Sequence, residues 1–429
     1  MNASIGKGQN MSKVIDLFAG AGGMGLGFEM ADYSVELSLE IDKWACETLL
    51  ENRPNHSIVN ADIRDYQSQN EISSLYGGDP DVIIGGPPCQ GFSISGPAQK
   101  DPQDPRNSLF LNFALWVKHL QPKIFVMENV KGIMGRRNSD GERVTDIIER
   151  EFTHIGYDLN VWLLNAAHYG VPQNRERVFF VGNRLGLDCI NAPPQTHFSS
   201  NNSEGSQLSF FESENMNQTI SIWEAISDLP ELYAGEGLEE QEYNSPPQNE
   251  YQRWVRGNSE VLYNHVAMNH SRRLVERFKQ IGWGKSSSDV SGEFMPRARN
   301  GNGEASTRVY DQNNRRLYPH RPSHTIAASF YANFVHPFQH RNITAREGAR
   351  VQSFPDDYRF MGKKTTPSHK LLQRENRLDE KHLCQYNQIG NAVPPLLAKA
   401  IALHLLEALS VGARQKPITE GKPWLEVPR

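Results

Sequence analysis

Seven short runs rich in β-branched and aromatic residues recur through the first 182 residues: KVIDLFAG, VELSLEID, HSIVNADI, DVIIGG, KIFVMENV, NVWLLNA and RVFFVG. Most are bounded by Gly, Pro, Asn or Asp, which punctuate strands. Between them, WACETLLEN and SLFLNFALWVKHL repeat apolar residues at helical spacing. Strands alternating with helices build a parallel, doubly wound, Rossmann-like α/β sheet, because each crossover helix returns the chain to the same end and covers one face. Such a sheet binds its ligand in the crevice outside the carboxyl ends of its strands.

With 429 residues and 38% hydrophobic content, the chain can bury one large core or two unequal ones. From about Leu185 to His320 the alternation gives way to Asn, Ser, Glu and Gly, with short periodic pieces such as TISIWEAISDL and SRRLVERFKQIGWG. A second, smaller, loop-rich domain is expected there. Two stretches, about 199–220 and 284–307, are polar enough to be mobile alone. Charge divides this region: no Lys or Arg occurs from Leu185 to Gln252, and arginine becomes frequent from Arg253 onward. Near the end, VPPLLAKAIALHLLEAL sets Leu397, Ala400, Ile401, Leu405, Ala408 and Leu409 along one helical face, which should return to the first domain.

The four cysteines, Cys46, Cys89, Cys189 and Cys384, form no CxxC pair, which argues against a disulfide framework or a structural metal. A net charge of −5 argues mildly against a general nucleic-acid coat. No run approaches the roughly 20 apolar residues of a membrane span, and the N-terminus lacks the apolar core of a signal peptide. A soluble, cytoplasmic protein is expected.

In DLFAGAGGMGLGFEMA, Asp16 to Ala31, a strand runs into a glycine-rich turn and then a helix. Gly20, Gly22 and Gly23 let the backbone approach a ligand, and Glu40 and Asp42 follow the next strand, placed to hold ribose hydroxyls. GAGGMG also satisfies GxGxxG, so this turn alone leaves a nicotinamide dinucleotide open. Asp62, after the third strand, could accept a bond from an adenine amine or cap a helix. Three acids at successive strand ends suit a neutral-to-cationic nucleoside better than a pyrophosphate, which favours S-adenosylmethionine.

GGPPCQGFS puts Cys89 behind two prolines at the end of the fourth strand. Exposed amides there can lower a thiol pKa and make a nucleophile. A buried structural cysteine is the plainer reading, opposed by the prolines and by the polar GPAQKDPQDPRNS that follows. Glu128 ends KIFVMENV in an apolar setting, where burial would raise its pKa and let it hold or share a proton; an ion pair or a cap is the alternative. Arg175 and Arg177, in QNRERVFF, supply cations at the same rim or are surface arginines.

In order, DLFAGAGG, LEID, NADI, GGPPCQGFS, MENV, QNRERVFF, TAREGARVQSFPD (344–356) and QIGNAVPP (388–395) resemble the bacterial DNA cytosine-5 methyltransferases of restriction-modification systems. The resemblance covers roughly 13–183 and 320–408. It implies S-adenosylmethionine as cofactor, double-stranded DNA as substrate, a monomer, and a cognate restriction endonuclease acting separately. It also implies a catalytic domain at 11–184 plus 385–412, a target-recognition domain at 185–340, and a hinge and connecting segment at 341–384. Cys89 would add to carbon 6 of a flipped cytosine, Glu128 would bond N3 and the exocyclic amine, and Arg177, with Arg175 beside it, would hold the carbonyl oxygen. Carbon 5 would then take the methyl group, and loss of the carbon 5 proton and of Cys89 would release 5-methylcytosine.

By the same matching, Phe18, Ala19, Gly20, Gly22, Gly23, Glu40, Ile41, Asp62, Ile63, Pro88, Leu109, Asn391 and Val393 would form the cofactor pocket. Gln90 to about Ser108 would be the loop that closes on DNA, with Gln90, Ser93, Ser95 and Arg106 as DNA contacts. Thr325, in RPSHTIAAS, would lie near the DNA. The stretch KKTTPSHKLLQRENRLDEKH looks longer than in compact members of the family. DNA contact is assigned mainly to the arginine-rich part, since the acidic start of the variable region would repel phosphates. A tRNA cytosine-5 methyltransferase, a catalytically silent DNA-binding regulator and a dehydrogenase are the competing readings.

Overall fold

The computed structural model describes residues 11–88, 109–138, 141–187, 189–198, 216–297, 311, 313–367 and 369–411. Cys89, Gln90, Ser93, Ser95 and Arg106 lie outside them. All seven expected strands form: β1 (Lys13–Leu17), β2 (Ser34–Glu40), β3 (Ser57–Asn60), β4 (Val82–Gly85), β5 (Ile124–Val130), β6 (Asp158–Asn165) and β7 (Glu176–Asn183). They make one sheet in the order β3-β2-β1-β4-β5-β7-β6.

The sheet is not wholly parallel. β7 runs antiparallel to both β5 and β6, while the remaining neighbours are parallel. The reason is the connection: β6 leads to β7 through a short 3-10 turn at Ala166–Tyr169, without a crossover helix, and a chain that reverses this way returns antiparallel. The pattern of RVFFVG specifies a strand and leaves its direction open.

Alternate residues of each strand enter opposite cores, as the period of two requires. Val14, Val82, Ile84, Val126 and Val181 face helix α1 (Gly23–Glu29) and the C-terminal helix Pro395–Val411, through Met24, Phe28, Leu397, Ile401 and Leu405. Ile15, Ile83, Phe125, Met127 and Phe180 face Ile72, Phe113, Trp116, Ile148 and Phe152 of helices α3 (Gln69–Leu75), α4 (Leu109–Leu120) and α5 (Val144–His154). Helix α2 (Lys43–Asn52) follows β2. The stretch Gln385–Val411 has the length and hydropathy, 1.5, of a membrane span, contrary to expectation. Its inner residues sit in the core against α1, where an equally apolar helix is required.

A second core gathers Ile222, Ile226, Tyr251, Leu262, Ile326 and Phe330 with Ile343, Val351, Phe354, Tyr358 and Phe360. At its centre is helix α6 (Ala345–Val351), whose Thr344 and Glu347 form a capping box. Arginines share its buried surface with Ala345, Ala349 and Val351. Arg350 donates from Nη2 to Asp356 at 2.6 Å and to Asp228 at 3.2 Å. Arg341 grips Glu347 through two bonds of 2.6 and 2.8 Å. Arg346 donates to the carbonyls of Tyr263, Pro355 and Tyr358. Of the two stretches expected to be mobile, the described part 284–297 is folded, and Val290 packs with Phe278 and Val335.

Candidate active site

Strand order reverses where β1 lies between β2 and β4, and two adjoining cavities of about 240 and 520 Å³ open at that end of the sheet. Both are lined by Phe18, Glu40, Ile41 and Pro88. The smaller adds Asp62, Ile63, Arg64 and Leu109. The larger adds Ala19, Gly20, Gly23, Glu128, Arg175, Arg177, Thr325, Asn391 and Val393. Every described residue assigned from the sequence to catalysis or the cofactor, except Gly22 and Asp42, therefore lines one or both of these cavities.

The glycine turn departs from the expectation in detail. A Cβ on Gly20 would meet nothing within 4 Å, so this residue opens the turn to the cavity. On Gly22, at φ 74°, it would strike Arg53 and Leu49 at 2.5 Å; on Gly23 it would strike the Val393 carbonyl at 2.3 Å. Gly22 serves packing behind the turn, and Gly23 the close approach of Val393, which lines the larger cavity with it. Glu40 shapes the turn from the front: its carboxylate accepts from Gly20 N at 2.7 Å and Asp42 N at 2.8 Å. Burial raises its pKa against these bonds. Asp42 is committed elsewhere, capping α2 at Ala45 N and accepting from Leu383 N at 2.8 Å. Leu383, at the end of the long segment 362–384, in turn reaches the cavity wall. Asp62 is both cap and wall: it caps a 3-10 turn at Arg64 N, and its bond to the Arg64 side chain lowers its pKa.

Glu128 and Arg177 come from adjacent antiparallel strands and meet as an ion pair of 2.9 Å, each 14% exposed. A Cβ on Gly86 would lie 3.2 Å from the Glu128 carboxylate, so only a small residue fits beside it. Arg175 has surroundings unlike those expected of a catalytic group. It is 1% exposed and donates to the carbonyls of Ile326, Gly390 and Ala392 at 2.9 to 3.1 Å, tying the strand entrance to both segments that close the cavity. Burial pushes its pKa well down. Thr325 lies in the wall with its hydroxyl donating to Asn174 O at 2.7 Å.

Two lining residues were not singled out. Asp16 is fully buried, its Oδ2 lacks a hydrogen-bond partner, and burial raises its pKa to about 7 against the pull of Arg53. An acid inside the apolar run KVIDLF was the available signal. Asn129 donates to Pro87 O at 3.4 Å and so ties the end of β5 to the proline turn that precedes Cys89.

The C-5 cytosine-specific DNA methylase family model matches residues 12–407. The chain belongs to that family. The methylase is 49% identical over 392 residues to the Type II methyltransferase M.DdeI of Desulfomicrobium norvegicum, covering 91% of this chain and 87% of that protein. To the Type II methyltransferase M1.HphI of Haemophilus parahaemolyticus it is 34% identical, covering 92% and 86%. Among solved structures, a prophage-encoded E. coli protein described as a DNA modification methyltransferase superposes with a TM-score of 0.66 at 24% identity, over 93% of this chain and 99% of that one, which supports the fold. The methylase is thus a DNA (cytosine-5) methyltransferase of restriction-modification type; the tRNA, regulatory and dehydrogenase readings are not favoured. Enzymes of this family generally use S-adenosylmethionine.

The arginines of the variable region divide in a way the sequence did not indicate. Arg316 is 4% exposed and donates to the carbonyls of Phe278, Ile281, His336 and Gln339. Arg273 and Arg277 hold the carbonyls of Phe294 and Met295. These side chains build the fold and are withdrawn from the set assigned to DNA.

Proposed function

We propose that the methylase binds S-adenosylmethionine across the two adjoining cavities and methylates carbon 5 of a cytosine flipped out of a short, specific duplex sequence, with Cys89 as nucleophile. The observation that carries this reading is that the Glu128–Arg177 pair lines the same hollow as the glycine turn and Glu40. In this reading the chain comprises a catalytic part (11–184 with 385–412), a target-recognition part (185–340) and a connecting segment (341–384). It acts as a monomer in the cytoplasm, beside a separate cognate endonuclease.

The residues present suit the cofactor. Gly20 leaves open space, each Glu40 oxygen keeps a lone pair beyond the main-chain bond it accepts, and Asp16 Oδ2 is a buried polar atom without a hydrogen-bond partner. Glu40 would take the ribose hydroxyls and Asp62 the adenine amine, with Ile41, Ile63, Pro88 and Leu109 giving an apolar wall. When bound, S-adenosylmethionine supplies an electrophilic methyl group on its sulfonium.

Cytosine carbon 5 is a poor nucleophile until a thiolate adds to carbon 6. Cys89 follows Pro88, which lines both cavities. Glu128 and Arg177 satisfy each other at 2.9 Å and offer, side by side, the hydrogen-bonding groups that the N3, amine and carbonyl edge of cytosine needs. Flipping the base costs roughly a few kcal/mol, which DNA contacts must offset; Thr325 on the rim, with Gln90, Ser93, Ser95 and Arg106, is assigned there.

Bisulfite sequencing of DNA from cells expressing the chain tests the reading. Methylation of one cytosine within a fixed short sequence is expected, and none with Cys89→Ser. Unmethylated DNA, or methylation that survives the substitution, overturns it.

A further inference from the structure

The glycine turn is held from two sides. Glu40 takes Gly20 N on the cavity side. On the opposite side, the Tyr358 hydroxyl donates to Ala21 O at 2.6 Å, and Arg53 donates from Nη2 to Gly22 O at 3.2 Å. Neither Tyr358 nor Arg53 lines the two cavities described above. Both line a separate cavity of about 470 Å³ behind the turn, together with Glu29 and Trp254.

The turn needs that support. Phe18, Gly20 and Gly22 have φ of 57, 55 and 74°, and a left-handed non-glycine residue persists only when its surroundings fix it. Arg53 is itself fixed, donating from Nε to Glu29 at 2.8 Å. Tyr358 comes from the second core, where fully buried Arg346 pins its carbonyl at 2.7 Å and that of Pro355 at 3.0 Å. Ala21 packs in that same core although it belongs to the turn. Burial pushes the Tyr358 phenol up to about 12, so the hydroxyl donates at any working pH.

We infer that Tyr358 is a positioning residue for the cofactor, fixing the Ala21 carbonyl and hence the shape of the glycine turn from the second core, with Arg53 as the companion hold on Gly22. The inference rests on S-adenosylmethionine occupying that turn, as proposed above. Because Tyr358 lies behind the turn and away from Glu128 and Arg177, its loss weakens cofactor binding and spares the chemical step.

Tyr358→Phe keeps the ring and removes the hydroxyl, leaving a buried carbonyl unpaired. Calorimetric titration with S-adenosylmethionine should show affinity weakened about tenfold. The KM for cofactor should rise in parallel, with kcat at saturating cofactor and the KM for DNA each within about twofold of wild type. Arg53→Lys, which cannot reach Glu29 and Gly22 O together, should weaken binding several-fold. Circular dichroism and thermal unfolding without cofactor monitor folding; should Tyr358→Phe fail to fold, Arg53→Lys decides whether the back of the turn sets affinity. Unchanged cofactor affinity in a folded variant, or a fall in kcat with KM unaltered, overturns the inference while the proposed function stands. A wild-type chain that does not bind S-adenosylmethionine overturns both.

Discussion

Around the sheet, the side chains that close the interior are apolar and fully buried, as Ile15, Ile83, Phe125 and Phe180 show; the second core closes over Arg341, Arg346, Arg350, Glu347 and Asp356, each no more than 1% exposed. Apolar burial is non-directional and accepts a substitute of similar volume. A buried guanidinium has a fixed fork of donors, and each must find an acceptor. Arg346 and Arg350 find theirs on the carbonyls of Tyr263, Pro355, Tyr358 and Ala225 and on two carboxylates. The sheet is a tolerant platform, and the second core adds to its apolar cluster buried arginines that fix the segments they bond in position.

The largest effect should come from breaking the second kind of contact. Arg350→Met leaves Asp228 buried without its cation and Asp356 with only Arg346, at 3.7 Å, and urea denaturation should show a loss of about 3–5 kcal/mol. A loss below about 1 kcal/mol would erase the contrast between the cores.

The two regions should also respond to pH with opposite sign. Asp16 keeps its proton in the fold up to about pH 7 and releases it near 3.8 when unfolded. The folded state therefore holds the extra proton between those values, and this contribution is complete below about pH 4 and lost as pH rises toward 7. For Glu347, burial raises the pKa but the Arg341 pair outweighs it, so the carboxyl lies well below its ordinary 4.5. That contribution is present above 4.5 and lost as pH falls. Asp16→Asn should remove only the first limb, a change on the order of 2–4 kcal/mol between pH 4 and 7. Stability measured against pH in both proteins checks it; parallel curves would refute it.

How far the sequence foretold these regions follows from the same chemistry. Strands with a period of two and a glycine turn announce themselves locally, so the sheet and most of its crevice were legible in KVIDLFAG, VELSLEID and MENV. Direction is not a local property, and the reversal of β7 was missed. Arg316 reads as a nucleic-acid charge, and nothing in the sequence marks Arg346 and Arg350 as buried, because their partners are main-chain carbonyls or acids distant in sequence. Asp16 hid in an apolar strand: the acid inside KVIDLF is visible, but the burial that raises its pKa is not.

Two smaller changes sharpen the contrast. Phe125→Leu stays apolar within the sheet core and should cost about 1–2 kcal/mol in the same denaturation assay, well below Arg350→Met. Ile41 is 62% exposed at the mouth of both cavities. Ile41→Ala should leave stability within about 0.5 kcal/mol and weaken S-adenosylmethionine about three- to tenfold, read by titration.

The antiparallel course of β7 has a consequence for how such a site can vary. Arg175 and Arg177 line the larger cavity, while Glu176 between them meets Lys131 at 2.9 Å. Neighbouring residues of a strand face opposite ways, so a slip of β7 by one residue against β5 would exchange guanidinium for carboxylate inside the hollow. The sign of charge at this wall is therefore held by the register of β7, which buried Val178, Phe179, Phe180 and Val181 fix between β5 and β6. The link from Ala166 to Asn174 can therefore change in length as long as that pairing is kept.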